Sequence, residues 1–217
     1  MLKPHLKDIL EVYLKMMNEI DSEELVSALE ELVSFFSDDI GPHALQLTEH
    51  LVSSYKRLVA VNADDDDGES ALAAVGCVTA IRRILDSIHK DKDLLRQVET
   101  IVYPLMLHTL TPDGLDAIED GLDCIALVLY HGHQGNVSPQ MWTIFKQLLY
   151  IIVGDGSDPD GGYGFEYLSQ VTVAIQNFIS KDPERFLTVG EGNQETFIAM
   201  TFKFIERTLD INAKTDH

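Results

Sequence analysis

Three stretches hold side chains that could do chemistry. The first runs from Asp155 to Glu166. With Asp155 as position one of a calcium-binding loop, Ser157 and Glu166 fall at positions three and twelve, where oxygen ligands are required. Position five is Pro159, which offers no side-chain ligand, and position six is Asp160, where the turn needs glycine. A solvated loop is expected there. The second stretch pairs His131 with His133, and Cys124 lies on the same segment. Zinc wants four ligands, or three and a water, and no second ligand pair is close in sequence. Two imidazoles at a helix C-terminus, favouring its dipole, is the plainer reading. The third is the acidic run Asp64-Asp65-Asp66-Asp67-Gly68-Glu69. Lysines or arginines of a partner would meet it with about 0.2–1 kcal/mol per exposed pair and a faster encounter. Asp64, Asp65, Asp66, Asp67 and Glu69 are therefore the candidate contacts to a basic partner.

No nucleophile motif, phosphate loop or dinucleotide fingerprint is present. Neither an enzyme nor a cofactor or metal site is expected. Cys77 and Cys124 each sit in an apolar helical run and read as buried, reduced thiols. The Asn136-Val137-Ser138 sequon is not expected to be used.

The net charge of −20 repels nucleic acid and favours basic partners, within about a 10 Å screening length. Solubility alone asks for roughly 2–8 charges in a small domain. Hydrophobic residues make up 45% of the 217, enough for a substantial core. No apolar run approaches the roughly 18 residues of a membrane span, and the first ten residues lack a signal-peptide core. A cytosolic or nuclear protein is expected.

The elements that carry these residues are helices. In the segment from Ser22, the residues Leu25, Val26, Leu29, Leu32, Val33 and Phe36 recur at helical spacing and make one apolar face. Asp21 with Glu24 reads as the capping box that starts it. Similar stripes follow: Leu47 to Val59, Leu72 to Ile88, Leu94 to Leu105, Leu115 to Leu129, Met141 to Ile152, Leu168 to Ile179 and Phe197 to Leu209. Sustained strand alternation is absent from the sequence. Pro42, Pro112, Pro139 and Pro183 follow the cap-like Gly41, Thr111, Ser138 and Asp182, at the first-turn position. Pro104 falls inside a stripe, which predicts a kink or break near Tyr103.

Residues 62–70, acidic, and 154–164, rich in glycine and aspartate, are expected loops. Hairpins beginning near Ser22, Ser70, Thr111 and Gly164 give a spacing of about 40–50 residues, the period of HEAT or armadillo-type repeats. The expected fold is an all-α, right-handed α-α superhelix of the HEAT/armadillo-like solenoid type, with about four helical hairpins. Residues 1–217 form a single array. Its first helix (Leu6, Ile9, Leu10, Tyr13, Leu14, Met17) and its last (Phe197, Phe202, Phe204) are apolar over wide faces, as expected of a piece of a longer solenoid.

Three sequence features carry a resemblance. Val137-Ser138-Pro139-Gln140-Met141-Trp142 opens one helix. Phe35 to Pro42 forms an acidic junction followed by Leu47-Thr48-Glu49-His50-Leu51. The acidic insertion Asp64 to Glu69 separates two helices. In these the chain resembles the importin-beta superfamily of nuclear transport receptors, in the branch containing importin seven and importin eight. The match runs from about Leu25 to Phe178. The resemblance implies a middle to C-terminal part of a longer HEAT-repeat receptor that shuttles between cytoplasm and nucleus. Such a receptor carries basic cargo, ribosomal proteins and histones among them, and releases it to Ran-GTP. Ran-GTP and Phe-Gly nucleoporins would be partners of the full-length parent, and neither direct nucleic-acid binding nor membrane insertion is implied. The family's main Ran contact lies in its first repeats, so no residue here takes that role. The other reading that the fold allows is a HEAT scaffold of a different assembly, such as a phosphatase scaffold or coat adaptor, without exchange against Ran.

Overall fold

A computed structural model describes residues 3–19, 22–61, 69–155, 162–188 and 196–215. The helices are α1 (Leu6–Glu19), α2 (Glu23–Phe35), α3 (Ala44–Val61), α4 (Glu69–Ile88), α5 (Lys92–Thr109), α6 (Ile118–Gly132), α7 (Pro139–Val153), α8 (Leu168–Lys181), the short α9 (Pro183–Leu187) and α10 (Phe197–Thr215). No strand occurs among the described residues.

Each helix has one apolar stripe too wide to be covered by its hairpin partner alone. Each of α3 to α7 therefore packs against three neighbours: the partner within its hairpin, and the equivalent helix before and after. Helices α1, α3, α5, α7 and α10 lie side by side in one layer, and α2, α4, α6 and α8 in the other. The two layers enclose one continuous core, in which Leu29, Leu47, Leu51, Ile81, Ile84, Val98, Ile125, Phe145 and Phe178 are sealed from water. This is an all-α, HEAT-like array of stacked hairpins. At its α7–α10 end the seam is aromatic: Trp142 stacks on Phe197 at 4.3 Å between centroids, and Phe145 meets Phe178 edge-on at 5.2 Å.

Helix starts follow local chemistry. Ser138 caps α7 by accepting from the Met141 N–H at 3.2 Å, and Asp182 caps α9 by accepting from the Arg185 N–H at 3.2 Å, each with proline next in line. Pro42 and Pro112 instead lie in 3₁₀ turns, Gly41–His43 and Pro112–Ala117, that lead into α3 and α6. The cap of α2 is Ser22, whose hydroxyl accepts from the Leu25 N–H at 3.4 Å. Asp21, the expected cap, lies outside the described residues.

At Pro104, where the sequence predicts a kink or a break, the break does not occur. The α5 helix runs through it from Lys92 to Thr109 without a break. Pro104 and Thr100 both face solvent, so the Thr100 carbonyl that loses its helical partner is at the water surface. Buried Val98, Val102, Leu105 and Met106 hold both halves of the helix to the core. Leu72, expected in the α4 stripe, is 57% exposed near the start of its helix.

The layers touch closely at Gly121 of α6, where an added Cβ would lie 2.2 Å from Thr109 Oγ1 on α5. Gly121→Ala is expected to cost about 1–3 kcal/mol by overpacking, and Ile125→Ala, one turn on, about 2–5 kcal/mol by leaving a cavity. Urea unfolding of the two variants checks both values.

Candidate functional site

The two-layer topology places all links within hairpins (between α1 and α2, α3 and α4, α5 and α6, α7 and α8) at one edge of the array. The links between hairpins lie at the other edge. Residues 111–120, 154–155 and 162–166 are described parts of the first edge, and in the sequence the windows 19–24, 62–69, 111–120 and 154–166 each hold four or five carboxylates with no Lys, Arg or His. The opposite edge is mixed in charge, as in His89-Lys90-Asp91-Lys92-Asp93 and Lys181-Asp182-Pro183-Glu184-Arg185. The acid excess of the chain is thus concentrated where hairpins turn. Of the candidate contacts, Asp64, Asp65, Asp66 and Asp67 lie outside the described residues, and Glu69 is described only as the first backbone position of α4.

The described part of this edge is rigidly built. In the 3₁₀ turn after α5, Thr111 Oγ1 donates to the His108 carbonyl at 2.7 Å and the Gly114 N–H donates to the Thr111 carbonyl at 3.0 Å. A Cβ on Gly114 would lie 2.2 Å from the His108 carbonyl oxygen, so glycine is required. The next hairpin grips the same turn: the Tyr163 hydroxyl donates to the Leu110 carbonyl at 2.7 Å, and Gln147 Nε2 donates to it at 2.9 Å. Helix α7 ends at Gly154, whose φ of 68° suits glycine. The Gly162 and Gly164 N–H groups return to cap the Ile152 and Ile151 carbonyls, each at 2.8 Å.

This scaffold presents Asp113, Asp116, Glu119 and Glu166 to solvent. Tyr167 links two of the links. Burial raises its hydroxyl pKa first, and the fields of Glu166, Glu119 and Asp116 add to it, so these three carboxylates share one patch. The chemistry on offer is electrostatic: an acidic edge that attracts cations on a macromolecule. Asp155 and Glu166, two of the calcium-loop positions, are exposed, while Ser157, Pro159 and Asp160 lie outside the described residues. Among the described residues no three His, Cys, Asp or Glu side chains converge as metal ligands. Cys77 and Cys124 are buried and outside any disulfide.

On the α2–α4–α6–α8 layer, cations are matched to neighbouring helices. Arg83 Nε reaches Glu30 Oε1 at 3.4 Å, and Arg82 Nε lies 2.7 Å from Asp120 Oδ1 as an ion pair. Lys181 Nζ sits 4.4 Å from the Tyr130 ring centroid. A cleft of about 380 Å³ opens here, lined by Arg82, Arg83, Asp86, Asp123, Tyr130 and His131. The His131 ring packs 4.7 Å from that of His89, and burial followed by the charge of His89 lowers its pKa.

His133 departs furthest from expectation. It caps α6 and is buried, with Nε2 2.7 Å from Glu99 Oε2 on α5. The Ser138 hydroxyl donates to Glu99 Oε1 at 2.6 Å, and His133 Nδ1 lies 3.1 Å from the Asn136 carbonyl. Asp182 accepts the Val137 N–H at 3.0 Å, and the Gly135 N–H donates to the Lys181 carbonyl at 2.6 Å. One buried polar knot thus ties α5, the α6–α7 link and the α8–α9 junction. The sequence signal for it was weak: a lone acid, Glu99, on the buried side of α5 beside Val98 and Val102.

Burial works against a charge on His133. The hydrogen bond and charge of Glu99, helped by the Asn136 carbonyl, outweigh it and raise the pKa above 6.5. A raised folded-state value stabilises fully below the unfolded value and is lost as pH climbs through the folded one. Stability is therefore expected to fall as pH rises from about 6.5 into the alkaline range. Glu99→Gln should flatten that slope and lower stability at pH 6 by about 3–5 kcal/mol. Urea midpoints at pH 6 and pH 8.5 for both proteins measure this.

Against known proteins, the chain is similar to the importin beta-like SAD2 homolog of Arabidopsis thaliana, 31% identical over 192 residues, covering 88% of this chain and 18% of that protein. It is similar to the probable importin-7 homolog of Dictyostelium discoideum, 26% identical over 212 residues, covering 97% of this chain and 18% of that protein. It is also similar to importin-8 of Mus musculus, 20% identical over 187 residues, covering 86% of this chain and 17% of that protein. The chain thus spans less than a fifth of the length of these relatives. No family model matches it, and no solved structure does.

Proposed function

Because the chain belongs to the importin-beta superfamily, in the branch of importin-7 and importin-8, we propose that it is a segment of a nuclear import receptor. The receptor binds basic protein cargo, ribosomal proteins and histones included. It shuttles between cytoplasm and nucleus and releases cargo under Ran-GTP control. Ran-GTP and Phe-Gly nucleoporins act on the full-length receptor. The similarity over most of this chain to proteins named importins carries the reading.

The site that fits such cargo is the acidic edge. We take as its contacts the exposed Asp113, Asp116, Glu119 and Glu166, together with Asp64, Asp65, Asp66, Asp67 and Glu69, which the sequence alone nominates. Each pair with a cargo Lys or Arg is worth about 0.2–1 kcal/mol, so affinity comes from several pairs and from steering. Turns that are stapled to one another supply such charges without an ordering cost at binding. Among the described residues no helix is long and apolar enough to cross a membrane.

Binding of a histone to this chain, followed by fluorescence anisotropy, tests the proposal. Affinity should drop by at least about tenfold between 50 and 300 mM salt. Replacing Asp64, Asp65, Asp66 and Asp67 with serine should weaken binding several-fold and leave the melting temperature unchanged. Asp116→Asn with Glu119→Gln and Glu166→Gln should do the same. Salt-independent binding, or a full-length receptor that ignores Ran-GTP, would contradict it and favour a scaffold role.

A further inference from the structure

One groove reverses the charge of the rest of the molecule. It lies between α7 and α10, has a volume of about 450 Å³, and is floored by Leu149, Tyr150, Val153 and Met200, with Lys146 and Lys203 among its walls. Among the described residues no carboxylate lines it. Three other clefts each carry two: Asp86 and Asp123 between α4 and α6, Asp38 and Asp91 beside the α4–α5 link, and Asp113 and Asp116 beneath Tyr55. In a chain with 36 Asp and Glu against 16 Lys and Arg, this inversion has a local cause. Helix α7, PQMWTIFKQLLYIIV, contains no acid along its length, and its single charge is Lys146.

The geometry gives that charge a use. Lys146 is exposed, and its Nζ stands 5.9 Å from the centroid of the Phe197 ring. Tyr150, one turn further along, is 45% exposed beside half-buried Val153. Cation, aromatic ring and aliphatic wall therefore follow one another along the outer face of α7, with Met200 of α10 opposite. Lys203 has contacts of its own, and the inference stands on Lys146 and Tyr150.

We propose that this groove docks a short segment of a partner protein that carries one aromatic or aliphatic anchor and a carboxylate two to four residues from it. The anchor covers Leu149, Tyr150, Val153 and Met200, and the carboxylate meets Lys146. A basic segment is repelled at Lys146, so this partner is different in kind from basic cargo, and both can be bound at once on different surfaces. The overall −20 field opposes an acidic segment at long range but is screened beyond about 10 Å, whereas the Lys146 contact is local. Charge swaps, rather than salt, are thus the informative perturbation.

Three sets of labelled octapeptides test this against the 217-residue chain by fluorescence anisotropy. Each has a central Phe or Leu, with Glu, Gln or Lys placed two, three or four residues away. The Glu set is expected to bind in the micromolar range, about three- to tenfold tighter than the Gln set, and the Lys set weakest. Lys146→Glu should invert this order, Lys146→Arg should keep it, and Tyr150→Ser should weaken every set. Melting temperature should not move in these variants, because both side chains are exposed. Equal affinity for the Glu and Gln sets, indifference to Lys146→Glu, or no binding by any set would overturn the proposal. Binding of the histone would be untouched by any of these outcomes, so failure here is separable from failure of the cargo reading.

Discussion

Every helix of this chain has an apolar face that its own hairpin cannot cover. Burial of a leucine or isoleucine is worth about 1.5–3 kcal/mol, and the stripe of a single helix holds four to six such residues. That free energy is available only when the next hairpin stacks on the last, so order in one unit depends on order in its neighbours. The two layers, the continuous core from Leu6 to Phe204 and the aromatic seam of Trp142, Phe145 and Phe197 all follow from this dependence.

The same constraint positions the functional surfaces. Stacking in register brings the described turns of successive hairpins to one edge, where the exposed Asp113, Asp116, Glu119 and Glu166 add up to one field. At that edge the Tyr163 hydroxyl and Gln147 bind the Leu110 carbonyl, and the turn geometry is fixed by the fold, not by a partner. At the other edge the work is done by the buried Glu99–His133–Ser138 knot, which sets how the α5–α6 hairpin meets the next one. Charge on the helix faces is largely neutralised between helices, as with Arg82 and Asp120. The exceptions are where recognition is possible.

Much of this was legible in the sequence. Residues such as Leu47, Leu51, Ile81, Ile84, Ile125, Ile144 and Phe145 lie on stripes at helical spacing, and all are buried. Ser138-Pro139 and Asp182-Pro183 announce helix starts because cap and proline act within four residues of each other. What was hidden depends on three dimensions. Pro104 is tolerated because its side of α5 faces water, which a linear pattern cannot say. His133 reads as a surface histidine until Glu99, on the preceding helix, is brought to 2.7 Å. The gathering of Asp113, Asp116, Glu119 and Glu166 appears only when alternate links are assigned to one edge, and the acid-free α7 stands out only once α10 lies against it.

Native-state hydrogen exchange of the chain in low urea tests most directly whether hairpins stand only by leaning on each other. The account predicts that amides of α3, α4, α5 and α6 exchange through one shared opening, with a common urea dependence and the highest protection in the array. Exchange of the α5–α6 hairpin through a separate opening with a small urea dependence, while α3 and α4 stay protected, would contradict it.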